Sequence, residues 1–175
     1  MPSHDVNTSN LRHLMEYYAR KFTLVEHRLK VVLPEWIALA HSIRLKAALR
    51  SYLVIVEKQV KILELFFTEE NIMYDSSQPS RSMQDFVLET NWRLSHAHTD
   101  QERDAWLLAS VCAVNQFKIN MYEMGIGFSR SLGMDHAAQT FEDAGIYEKQ
   151  LFDKLGKLAV REINLALVEP VHITG

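Results

Sequence analysis

From Leu11 to Leu33 apolar residues return every three or four positions: Leu11, Leu14, Tyr18, Phe22, Val25, Leu29, Val32 and Leu33, with charged residues between them. That spacing lines one face of a helix. Ser9 is the expected N-cap. Pro34 lacks a backbone donor and is expected to kink or interrupt the helix, whose pattern resumes through Trp36, Ile37 and Ala40. A second strip runs Leu45, Ala48, Leu49, Tyr52, Ile55, Val56, Gln59, Ile62, Leu63 and Phe66, and ends at Thr68-Glu-Glu-Asn. The stretch from Asn71 to Ser82 reads as a crossover loop. A short helix over Met83–Leu94 places Phe86, Val87 and Leu88 against Trp92, and Thr99 with Glu102 three residues on has the spacing of a capping box. The longest apolar strip, within Asp104–Leu132, ends at Gly133, a candidate left-handed cap. Gly125 and Gly127 inside it are costly in a helix and imply close packing against a neighbour. A last helix over Asp135–Leu165 carries Phe141, Ala144, Glu148, Leu151, Phe152, Leu155 and Leu158 on one face. The pattern therefore predicts an all-α fold of four long helices, with a crossover and a short extra helix between the second and third. One domain over 9–165 would be flanked by tails at 1–8 and 166–175.

Three ionisable residues interrupt these strips. Glu26 sits among Phe22, Leu29 and Leu33; Lys118 lies one turn from both Val114 and Tyr122; Glu148 stands between Ala144 and Leu151. Desolvating an unpaired ammonium costs several kcal/mol or forces it neutral, so Lys118 needs an acidic partner. The pattern points to Glu26, Glu148 or both.

Composition narrows the function. The 175 residues suffice for one buried core, and 47% hydrophobic with 23% charged residues is ordinary for a globular chain. A formal net charge of −3 gives no basic footprint, so nucleic acid is not an expected partner. No window is apolar for long enough to span a membrane, and the N-terminus lacks the pattern of a signal peptide. With a single cysteine, Cys112, in the apolar run LLASVCAV, a cytoplasmic location is expected. There is no Gly-rich phosphate loop, nucleophile elbow, C-x-x-C or H-E-x-x-H motif. His96-x-His98 in a polar turn is a weak candidate for a surface metal site.

The segments LVEHRLKVVLPEWIALAHSIRLKAALRSYLVIVEKQVKILELFF, CAVNQFKINMYEMGIGFSRSLG and YEKQLFDKLGKLA resemble the helices of the YciE/YciF-like ferritin-like proteins, which are bacterial and stress-associated. The resemblance covers roughly residues 14–160. It implies a ferritin-like up-down bundle and, at its centre, the remains of a di-iron carboxylate site. Such sites need inward carboxylates and imidazoles from all four helices. Carried over position by position, the first-helix glutamate is Glu26. The second-helix H-x-x-E has become Tyr52 and Ile55. The third-helix E-H-Y-E reads Asn115-Gln116-Phe117-Lys118. The fourth-helix E-E-K reads Tyr147-Glu148-Lys149, with Phe152 where an aspartate would follow. The resemblance thus implies that the Lys118 ammonium replaces the metal charge, with Tyr52 and Asn115 satisfying the remaining oxygens.

The leading expectation is a non-catalytic structural or interaction protein without a cofactor, a homodimer with an unknown protein partner. One alternative is a metal-dependent oxidase or iron- or manganese-binding protein using Glu26 and Glu148, with His27 or Glu57 as further ligands. Another is a small-molecule binder whose vacated centre is lined by Tyr52, Asn115, Tyr122 and Tyr147.

Overall fold

Five helices succeed one another: α1 (Ser3–Leu39), α2 (Ile43–Glu69), α3 (Arg81–His96), α4 (Asp100–Ser131) and α5 (Asp135–Val168). This computed structural model describes residues 3–168, with side chains from 7 to 162, and no strand occurs among the described residues. Helices α1 and α2 form one hairpin and α4 and α5 the other. The crossover carrying α3 joins them, and α1 packs on α4 to close the bundle.

Local chemistry sets the boundaries. Ser42, Ser80 and Thr99 cap α2, α3 and α4, each accepting from the backbone N–H three residues on. The expected capping box is present in shifted form: Glu102 reaches back to the N–H of His98 rather than to that of Thr99. Gly133, at φ +67°, closes α4 with the paired bonds of a Schellman cap, Gly133 N–H to Arg130 O and Met134 N–H to Ser129 O. Asp104 clamps the α1–α2 turn onto α4, its two oxygens accepting from His41 N at 2.7 Å and Ser42 N at 2.6 Å.

Some expectations change. Helix α1 begins at Ser3, because the polar residues before Ser9 contain nothing that breaks a helix. It also continues through Pro34, which lies on the exposed side, where water can take up the Lys30 carbonyl that proline leaves free. Helix α5 reaches Val168; residues 1–2 and 169–175, including most of the expected C-terminal tail, lie outside the described residues. On α3 the inward face is Met83, Val87, Thr90 and Leu94, while Leu88 and Trp92 face outward. Gly125 is tightly packed: an added Cβ would lie 3.1 Å from the Phe22 ring and 3.2 Å from that of Phe141. At Gly127 the space is open, so only one of the two glycines marks a close approach.

An aromatic layer fills the middle of the bundle. Phe22 packs on Tyr122 (4.5 Å between centroids) and on Phe141 (4.9 Å), and Phe141 on Phe66 (5.0 Å). Each long helix gives one ring to this layer. One or two turns along every one of them the layer becomes polar.

Candidate functional site

The polar layer is built from α1 (Glu26), α2 (Tyr52 and Gln59), α4 (Asn115, Lys118 and Tyr122) and α5 (Glu148). Six of these side chains are wholly inaccessible, and Gln59 is 2% exposed. The spacing follows from the aromatic layer: Glu26 is one turn beyond Phe22, Lys118 one turn before Tyr122, and Gln59 and Glu148 two turns from Phe66 and Phe141.

Lys118 is the hub. Its Nζ lies 2.6 Å from Glu148 Oε1 and 2.8 Å from Glu26 Oε1, and donates weakly to Tyr52 Oη at 3.3 Å and Gln59 Oε1 at 3.4 Å. It also stands 4.9 Å from the centre of the Tyr52 ring. Both ion pairs expected from the hydrophobic pattern are therefore present.

The two carboxylates differ. Glu148 is satisfied on both oxygens: Oε1 accepts from Lys118, and Oε2 accepts from Asn115 Nδ2 at 2.6 Å. The same Asn115 amide also donates to the Glu148 carbonyl. Glu26 takes both its bonds on Oε1, from Lys118 and from Tyr122 Oη at 2.7 Å, and its Oε2 has no partner. Two carboxylates facing one ammonium carry a formal excess of one negative charge in the buried core. Burial is the largest influence on Glu26 and raises its pKa to about 7; Lys118 opposes this, and the Glu148 charge adds to it. Tyr52 and Tyr122 are held well above the usual tyrosine range, first by burial and then by the two carboxylates.

Three expected site residues lie elsewhere. Ile55 is only partly buried and Phe152 is 40% exposed. At about 100° per residue, each stands roughly 70° from the centre of its helix's inward face, which is set on α2 by Tyr52, Val56, Gln59 and Leu63, and on α5 by Glu148, Leu151 and Leu155. Tyr147, 36% exposed, is outside the centre as well; with Ile55 it lines an outer cleft of about 310 Å³ between α2 and α5. At the centre, where the small-molecule reading puts a pocket, the side chains of the cluster pack against one another. Gln59 stands in the second strip without marking itself as a site residue, because a neutral amide barely interrupts an apolar pattern; it joins the two regions, accepting from Lys118 and donating to Ala144 O in the wall of that cleft.

These residues do not fit a pair of metal ions. The ammonium of Lys118 occupies the point on which Glu26 and Glu148 converge, and among the described residues no three His, Cys, Asp or Glu side chains are grouped as metal ligands. His27 turns away from Glu26 toward Glu64, at 3.2 Å, and Glu57 is exposed. His96 lies against Trp92, with ring centroids 4.4 Å apart. Cys112 is half-buried, and burial pushes its thiol pKa up.

Comparison with known proteins places this geometry. Residues 11–168 match the family described as a domain of unknown function, DUF892. No curated protein matches the chain. Among solved structures, the stress protein YciF of E. coli superposes with a TM-score of 0.82 at 19% identity, over 88% of this chain and 97% of that one. YcfI of Rhodopseudomonas palustris, a suggested structural protein, superposes with a TM-score of 0.79 at 22% identity, over 83% and 92%. No helix among the described residues is long and apolar enough to cross a membrane. From an all-helical bundle with this connectivity, and a family match along nearly its whole length, the chain belongs to the YciF-like DUF892 family.

Proposed function

We propose that this protein is a non-catalytic, stress-associated structural or interaction protein whose bundle is held at its centre by an ionic cluster in place of metal ions. The observation that carries this reading is the Lys118 ammonium, wholly buried and 2.6 and 2.8 Å from two carboxylates on different helices. A cation fixed to the chain balances one of the two buried carboxylate charges without a bound ion. The names of the similar structures, a stress protein and a suggested structural protein, agree with it.

The same proposal includes a homodimer acting in the cytoplasm. Its support is a row of exposed apolar side chains on one side of the bundle, Val54, Ile62 and Leu65 on α2 with Ile146 and Tyr147 on α5.

The test is metal content by mass spectrometry, on protein expressed with iron and manganese supplied and purified without chelator. Substoichiometric metal, unchanged in Glu26→Ala, is the expected result. One or two ions per chain, lost in Glu26→Ala or Glu148→Ala, would overturn the reading.

A further inference from the structure

Away from the bundle centre, a cleft of about 410 Å³ opens where the crossover passes over α1. Arg28 and His27 of α1 form one wall, Ser76 and Gln78 of the crossover another, and Ser80 and Gln84 the edge where α3 begins; no Asp or Glu is among the lining residues. Leu24, Val31 and Pro79 add an apolar side.

Arg28 is the unusual member. Its side chain is partly buried, its Nε is cut off from solvent without a hydrogen-bond partner, and it forms no ion pair among the described residues. Arginines are rarely buried unless paired. Arg20, two turns earlier on the same helix, shows the ordinary solution: its Nε donates to Met73 O at 2.7 Å and its Nη2 pairs with Glu16 at 3.1 Å. Two carboxylates stand behind the cleft wall, each held by a lining residue and neither paired with Arg28. Glu64 faces His27, and Asp75 accepts from the backbone and hydroxyl of Ser77 and from the Gln78 amide. The cleft is also preformed, because Tyr74 stacks on Phe67 (4.5 Å, 14°) and on His27 (6.0 Å, 23°), holding the crossover against α1.

We propose that this cleft binds a small molecule carrying a phosphate group, seated on the Arg28 guanidinium. The planar guanidinium fork suits the oxygens of an oxyanion. The hydroxyls of Ser76 and Ser80 and the amide of Gln84 supply further donors, enough for a tetrahedral anion with three free oxygens. The opening turn of α3 carries no acidic residue to repel it. A volume of about 410 Å³ exceeds a lone phosphate, so the apolar side has room for a small organic body. This site is independent of the buried cluster and of the structural role proposed above.

The test is titration of the full chain with phenyl phosphate at fixed ionic strength, followed by backbone amide NMR. The expected result is saturable shifts confined to residues 76–84 and the adjoining turn of α1. Affinity should fall at least tenfold in Arg28→Gln and less in Arg28→Lys, with both variants melting like the parent. Absence of saturation, saturable shifts centred elsewhere such as around Lys58, or unchanged affinity in Arg28→Gln would overturn the proposal. Should Arg28→Gln melt early, the location of the shifts in the parent and the affinity of Arg28→Lys still decide it.

Discussion

At Glu26 one carboxylate oxygen takes both the Lys118 ion pair and the Tyr122 hydrogen bond and the other takes neither, so this is the acid whose charge the interior least supports. Its pKa of about 7 in the folded chain lies above the ordinary 4.5, which means that folding favours the neutral acid. The associated stabilisation is complete below about pH 4.5 and is lost as the pH rises through about 7. A shift of this size corresponds to about 3 kcal/mol. Parent protein should therefore lose stability to denaturant between pH 5 and pH 8, whereas Glu26→Gln, neutral throughout, should lose much less. Equal pH slopes in the two proteins would show that Glu26 is not the titrating group.

Along the helices, much of the architecture was legible in the sequence because each long strip keeps its helical spacing for many turns. Glu26, Lys118 and Glu148 were legible too, since a charge within an apolar strip is conspicuous. What misled was position without orientation: Ile55 and Phe152 stand three and four residues from true cluster members, close enough to share a strip on paper and far enough around the axis to face outward. Tyr147, beside Glu148, is turned out by its single step of about 100°. Gln59 carried no charge to draw attention. The glycines of α4 offer a test at this scale. Gly127→Ala meets nothing and should gain about 0.5–1 kcal/mol from helix propensity. Gly125→Ala pushes into Phe22 and Phe141, rings already packed against each other, and should lose about 1–2 kcal/mol as overpacking outweighs propensity. Urea unfolding of both variants checks the pair, and an equal gain in both would show that the ring layer yields freely.

For the whole molecule, the cluster is, among the described residues, the polar layer to which all four long helices contribute, so it fixes how the two hairpins meet. A homodimer formed through the apolar α2–α5 side should give a light-scattering mass near twice the 20.3 kDa chain, and Ile62→Lys should shift it to monomer. A monomeric parent would end that part of the proposal. The central claim concerns Lys118, and thermal unfolding of its variants addresses it most directly. Removing one partner of a buried ion pair costs about 3–5 kcal/mol. Lys118→Met should therefore lower the melting midpoint by roughly 10 °C, and Lys118→Ala by more, because it also leaves a cavity. Adding Glu26→Gln and Glu148→Gln to Lys118→Met should recover most of that loss, since no unpaired charge is then buried. If Lys118→Met alone melts like the parent, the ammonium does not hold the bundle together, and the account is wrong at its centre.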